Sequence, residues 1–124
     1  MGPTQLESLL TGGLADDLCS GVVVRFSATW CKPCQAIKEV VDQGFAGLPD
    51  SVVIVDLDID DTIELYGFLT RKRMVRGVPT LLFYDRAEVQ KQSWHIPQDS
   101  VSGGDCAAVG EFFARCSDAI QSHA

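Results

Sequence analysis

The chain has no apolar stretch long enough to cross a bilayer, and no basic segment followed by an apolar run at its start. A spanning helix needs about 20 apolar residues in succession, and a secretory leader needs a charged head before its apolar run. The expectation is a soluble, cytoplasmic protein without a membrane partner. Leu6 stands where a myristoylated Met1-Gly2 terminus would carry Ser or Thr. Basic residues are scarce as well, with 10 Lys and Arg against 17 Asp and Glu and a formal charge of −7. Phosphate backbones are gripped by basic surfaces, so nucleic acid is not an expected partner. Internal repeats and low-complexity tracts are lacking. What remains, 124 residues of which 46% are hydrophobic, suits one domain over 1–124 with its own core.

The five cysteines do not have the number or spacing of a secreted disulfide framework, and a reducing compartment suits the unpaired ones. Cys106 and Cys116 fall on one expected helix, about 15 Å apart at 1.5 Å per residue, too far for a single bridge. Thiols at such positions are usually core residues, as Cys19 is most simply read. Cys31 and Cys34 are the one local pair. They stand in Ala28-Thr29-Trp30-Cys31-Lys32-Pro33-Cys34, directly after the apolar run Gly21-Val22-Val23-Val24-Arg25-Phe26. A dithiol placed where a strand hands over to a helix can exchange electrons, because unpaired N–H groups at the helix N-terminus favour a thiolate. Pro33 fits the first turn, where its missing N–H costs nothing. The same spacing also makes half a zinc site. Its other ligands would have to come from Cys19, Cys106, Cys116, His95 and His123, which form no second compact pair, so neither metal nor cofactor is expected.

Elsewhere the apolar pattern predicts the elements in order. Leu6, Leu9 and Leu10 predict a helix over 4–11 that breaks at Thr11-Gly12-Gly13, with a short turn over Leu14 to Cys19. A buried strand is predicted over Val22 to Ser27, and a helix over Cys31 to Phe45 with Gly44 weakening its end. Val52 to Ile59 alternates as a strand. Ile63, Leu65, Tyr66, Phe68 and Leu69 then predict a helix preceded by Asp58, Asp60 and Asp61. Arg71-Lys72-Arg73 and Arg76 gather at its far end, read either as solvated cations matched to the helix dipole or as a docking patch for an acidic partner. Val78 to Tyr84 is a strand opened by Pro79, and Asp85 to Glu88 a polar turn. Val89 to Ile96 reads as an edge strand and 97–104 as a loop. The last helix begins near Asp105, capped by Ser102, with Cys106, Val109, Phe113, Cys116 and Ile120 on one face.

Trp30-Cys31-Lys32-Pro33-Cys34 closely resembles the active-site motif of the thioredoxin family, and Gly77-Val78-Pro79-Thr80-Leu81 resembles the family's cis-proline segment. The two motifs stand in the family's order, and the resemblance covers nearly the whole chain. It implies an α/β thioredoxin fold, a central mixed β-sheet with helices on both faces. It also implies a thiol–disulfide oxidoreductase that reduces protein disulfides, in which Cys31 attacks and Cys34 resolves the mixed disulfide. Trp30 would flank the site, and Gly77, Val78 and Pro79 would bind substrate backbone as an added strand beside a cis Val78–Pro79 bond. Implied partners are disulfide-containing proteins and a thioredoxin-reductase-like or glutathione-based donor, with the chain a monomer. Lys32 either favours the Cys31 thiolate or is merely solvated.

The chain departs from the family pattern in several places. The family's helix-kinking proline is missing, so a straighter or shorter helix is expected after the motif. The segments 68–76 and 98–105 look lengthened. Arg25 occupies the place of the family's buried aspartate, and Asp56 that of its lysine partner. An arginine stays protonated and cannot serve as a base. Three readings follow: Asp56 handles the proton near Cys34, Arg25 lowers the Cys34 pKa directly, or resolution is slow. Contact between Arg25 and Asp56 is expected. The rival functions are a more oxidising disulfide oxidase or isomerase, and a thioredoxin-fold binding or adaptor subunit with weak redox activity.

Overall fold

Gly21–Ser27 is rich in β-branched residues and lacks a solvent face, which suits a strand with neighbours on both edges. In the computed structural model, which describes residues 1–12, 19–89 and 91–122, it is β1 of a four-stranded sheet. The other strands are β2 (Val52–Asp58), β3 (Thr80–Asp85) and β4 (Asp99–Ser102), in spatial order β2-β1-β3-β4. β1 runs parallel to β2 and antiparallel to β3, which is antiparallel to β4. Six α-helices accompany them among the described residues, α1 (Pro3–Thr11), α2 (Lys32–Ala36), α3 (Lys38–Gly47), α4 (Ile63–Arg71), α5 (Arg86–Val89) and α6 (Cys106–Gln121), with one 3-10 turn over Ile59–Asp61.

The twofold alternation of β1 divides the core between two faces. Val22, Val24 and Phe26 pack with Leu6, Leu10, Leu65, Leu69 and Tyr84 under α1 and α4. Val23 packs with Ile37, Val41, Phe83, Phe112 and Cys116 under α3 and α6. Arg25 follows the same alternation as Val23, so its side chain emerges on the α3 face at the end of β1 that leads to the cysteines.

Several expected elements are arranged differently. The helix over 31–45 is not single: it breaks at Ile37 (φ −102°, ψ 1°), which ends α2 and starts α3. The helix that follows the motif is therefore a short one, as one of the two expectations had it. The break occurs without a proline, with Ile37 turned into the core at 1% exposure. The edge strand is Asp99–Ser102 rather than 89–96. Val89 closes the short helix α5, which stands where a polar turn was expected. Trp94 stacks on Phe68 with ring centroids 5.5 Å apart, and the Tyr84 hydroxyl donates to the His95 carbonyl. These contacts carry the chain over the end of the sheet, and pairing with β3 resumes only when the Gln98 N–H donates to the Phe83 carbonyl.

Segment 98–105 is therefore largely an edge strand and the approach to α6, and not a lengthened loop. The cap of α6 is Asp105, whose carboxylate accepts the Ala107 and Ala108 N–H groups, rather than Ser102. Segment 68–76 holds the last turn of α4 and its closure, where the Arg73 and Met74 N–H groups donate back to Thr70 and Leu69 while Arg73 takes φ 64°. The turn expected over Leu14 to Cys19 lies outside the described residues except for Cys19, which is half-buried against the α1 core. Gln90 and His123 lie outside them too.

Candidate active site

The β1–α2 junction brings the chemistry together. Cys31 and Cys34 are joined as a disulfide, their Cα atoms 5.3 Å apart. Cys31 is the N-cap of α2, and its Sγ accepts the Cys34 N–H at 3.2 Å. That contact places sulfur at an unpaired N–H of a helix start, where negative charge is favoured. Pro33 occupies the first turn without disturbing it.

Neither sulfur stands open to solvent in this disulfide-bonded state. Cys31, the expected nucleophile, is 4% exposed and Cys34 8%. Both pack with Ala28, and Ile59 and Val78 close over the three. Turning Sγ of Cys31 towards the helix N-terminus also turns it away from water. Trp30 is the exposed neighbour at 64%, its indole N–H donating to Asp60 Oδ2 at 3.2 Å. Lys32 is exposed on the first turn of α2.

The second motif lies against the first. Val78 touches the cysteine cluster, and the Val78–Pro79 peptide bond is cis. The Thr80 hydroxyl donates to the Gly77 carbonyl at 2.6 Å, which pins the chain just before β3. The Gly103 N–H donates to the Pro79 carbonyl at 3.0 Å, with Gly103 at φ 95°. A Cβ on Gly104 would stand 3.1 Å from that of Pro33. The two glycines thus let the loop before α6 touch both motifs at once. The sequence reading missed Gly103 and Gly104, along with Ile59 and Asp60. The Gly-Gly pair in an otherwise polar stretch was the available signal.

Arg25 and Asp56 meet as expected. The Arg25 Nε–H donates to Asp56 Oδ1 at 2.8 Å and the Nη2 group to Oδ2. Arg25 is the shielded partner, with 13% of its side chain exposed against 45% for Asp56. Asp42 lies 3.9 Å from Arg25 and is bound by Lys38 at 2.8 Å. The Lys38 bond and charge, aided by Arg25, hold the Asp42 carboxyl below its usual range. Arg25, Lys38, Cys34 and Asp58 share a cleft of about 290 Å³. Among the described residues no group of three or more His, Cys, Asp or Glu is placed to hold a metal ion, and no helix is long and apolar enough to cross a membrane.

A mixed sheet covered by helices on both faces, with a disulfide at a strand-to-helix junction, defines the architecture of a dithiol/disulfide protein. The thioredoxin family profile matches residues 15–101. A thioredoxin of Ophiophagus hannah is 39% identical over 67 residues, 54% of this chain and 59% of its own length. A thioredoxin of Chlamydia muridarum is 38% identical over 92 residues, 70% of this chain and 82% of its own length. Among solved structures, a Malassezia sympodialis thioredoxin superposes with a TM-score of 0.64 at 23% identity, covering 94% of this chain and 86% of that one. This chain belongs to the thioredoxin family, and its cysteine pair occupies the family's redox-active position. It spans 59% and 45% of the length of some curated relatives that it matches.

Proposed function

We propose that the protein is a thiol–disulfide oxidoreductase that reduces disulfides in other proteins. The observation that carries this reading is the Cys31–Cys34 disulfide at the start of α2, with Sγ of Cys31 on the Cys34 N–H. In the reduced enzyme the Cys31 thiolate attacks one sulfur of a substrate disulfide. A Cys31–substrate bond forms, and the substrate bond breaks with its electron pair on the departing thiolate. The Cys34 thiolate then attacks Cys31 Sγ, remaking the internal disulfide and expelling the second substrate thiolate. Two electrons pass to the substrate in all. A thiol donor returns them by reducing the pair, either a thioredoxin-reductase-like dithiol or two equivalents of a glutathione-type monothiol, which is itself oxidised to a disulfide.

Gly77, Val78 and Pro79 would receive substrate backbone beside the cysteines, a role supported by the packing of Val78 on the pair. Trp30 offers an exposed aromatic wall, and Lys32 a positive charge one residue beyond Cys31. We place this electron-transport activity in the cytoplasm and assign it to a monomer. An insulin-reduction assay tests the reading. Cys31→Ser should abolish turnover, and Cys34→Ser should accumulate mixed disulfides with substrate. In the reduced protein Cys31 should alkylate before Cys34. Reduction that survives Cys31→Ser, or faster labelling of Cys34, defeats the assignment. The potential of the pair against a glutathione buffer decides between a reductase and an oxidase or isomerase.

A further inference from the structure

The resolving step needs the Cys34 thiol to lose its proton, and the β1 residue that lines the cleft with Cys34 is Arg25, whose guanidinium cannot take it. Among the described residues lining the cleft against Cys34, one carboxylate is able to do so. The cleft's polar and charged lining includes Arg25, Ser27, Lys38 and Asp58, and its volume of about 290 Å³ has room for several waters at about 30 Å³ each. Asp56 has both oxygens engaged by Arg25. Asp42 is tied to Lys38, and Asp60 holds the Trp30 indole. Asp58 is bound differently. Its Oδ1 accepts the Asp60 N–H at 2.8 Å, and among the described residues Oδ2 has no hydrogen-bond partner.

We propose that Asp58 is the proton acceptor for Cys34, reached through water in the cleft that both residues line with Arg25 and Lys38. Resting on the exchange reaction proposed above, this places the base on the neighbouring strand: Asp58 is the register partner of Ser27, two residues beyond the Arg25–Asp56 pair. The groups around it divide the work. Arg25 from β1 and Lys38 from α3 supply positive charge beside the developing thiolate, and Asp56 and Asp42 hold those cations in place. Asp60, in the turn that follows, orients the Asp58 carboxylate through its N–H.

The step balances as follows. With Cys31 bonded to a substrate sulfur, the Cys34 thiol passes its proton through water to the Asp58 carboxylate. The Cys34 thiolate attacks Cys31 Sγ; the Cys31–Cys34 bond forms and the Cys31–substrate bond breaks. The electron pair leaves on the substrate thiolate, which takes a proton from solvent, and Asp58 releases its own proton through the open cleft.

Asp58→Asn tests this cleanly, because an amide oxygen still accepts the Asp60 N–H while the basic oxygen is lost. The measurement is single-turnover release of a chromophoric thiol from its mixed disulfide with Cys31, followed from mildly acidic to alkaline pH. Asp58→Asn should slow release about 100-fold at neutral pH. The deficit should vanish above the ordinary thiol range of about 8.5, where Cys34 ionises unaided. Asp58→Glu should restore most of the neutral-pH rate, and Asp61→Asn, which removes a charge from the exposed turn, should leave the profile in place. A wild-type profile in Asp58→Asn overturns the assignment, as does a deficit that is equal at every pH, which would mark a structural role. If Cys34→Ser forms no mixed disulfide with any substrate, the exchange reaction itself fails and this assignment falls with it.

Discussion

Arg25 and Asp56 are register partners in β1 and β2, and their side chains close into a two-point ion pair in which only the carboxylate faces water freely. The guanidinium also stands 5.4 Å above the Phe45 ring, so removing Asp56 leaves a shielded charge with the more distant Asp42, at 3.9 Å, as its remaining acidic neighbour among the described residues. Removing Arg25 leaves an anion that water can solvate. Asp56→Leu should therefore destabilise more than Arg25→Met, and the double variant less than the sum of the two. The half-exposure of Asp56 sets the scale. A coupling of about 1 kcal/mol is expected, at the upper end of exposed pairs and below the roughly 3–5 kcal/mol lost on breaking a buried one. Urea unfolding of all four proteins measures it, and strict additivity would show that the contact contributes nothing.

Gly44 lies within α3 and gives α6 room to approach. A Cβ there would stand 2.3 Å from Cδ2 of Phe113, a buried ring held edge-on by Phe45 and Phe112. Alanine gains up to about 1 kcal/mol of helix propensity over glycine, and forced overpacking costs about 1–3 kcal/mol. Gly44→Ala should lower stability by up to about 2 kcal/mol net of the full propensity gain. Adding Phe113→Leu should recover part of that loss, since it removes the atoms in conflict. Thermal unfolding of the single and double variants provides the check.

Gly44 also shows where the sequence could be read and where it could not. As a local signal it suggested a weak helix end, but α3 runs on to Gly47, because the glycine answers a neighbour from far along the chain. The cysteine motif, the Val-Val-Val run and the Val78–Pro79 segment could be read directly, since each carries its chemistry or burial in adjacent residues. Arg25 and Asp56 became legible once the two motifs fixed the register of their strands. β4 could not be read this way. Asp99-Ser100-Val101-Ser102 has little apolar alternation, while 89–96 had enough to attract the strand assignment. The stacking of Trp94 on Phe68 decided against it, a long-range contact with no local signature. Cys106, expected on the apolar face of α6, is exposed, for it occupies the first turn before that face meets the sheet.

Asp105 carries the start of α6 by accepting two N–H groups, at 2.9 and 3.4 Å. Asp105→Ala should cost about 1 kcal/mol, and Asp105→Asn only a small part of that. The first turn of α6 also meets the active-site helix, where the Cys106 thiol lies 3.5 Å from the Ala36 carbonyl. Fraying should therefore appear as faster amide exchange at Ala107 and Ala108 in the alanine variant alone. Equal exchange in both variants would mean that the cap does not hold this turn.

His95 is held below its usual pKa by desolvation first and by the Lys72 ammonium second. It packs edge-on to both Phe68 and Trp94. Lys72→Gln should raise the titration midpoint of His95 only part of the way to the ordinary value, because burial remains. A proton NMR titration of the imidazole follows this directly, and full recovery would make Lys72, rather than desolvation, the main cause.

Cys116 links the packing of α6 to the alkaline limit of the fold. Its side chain is fully buried, and desolvation, aided by the Asp99 carboxylate and opposed by Arg115, pushes its thiol from 9.0 up to about 12. Between those two values the unfolded chain has released a proton that the native chain keeps. The unfolded state then binds fewer protons, so stability falls as pH rises through this window, whereas below pH 9.0 the thiol adds no slope. Burial raises the Tyr84 phenol in the same direction, and its effect adds to that of Cys116 at the upper end. Cys116→Val removes one contribution and leaves the other, so its denaturant midpoint should fall less steeply with alkaline pH than that of the wild type. Thiol labelling supplies an independent view. In the oxidised protein the exposed Cys106 should react first, and Cys116 only as fast as the protein unfolds. Rapid native-state labelling of Cys116, or an unchanged alkaline slope in Cys116→Val, would mean that this thiol is not held neutral by its packing.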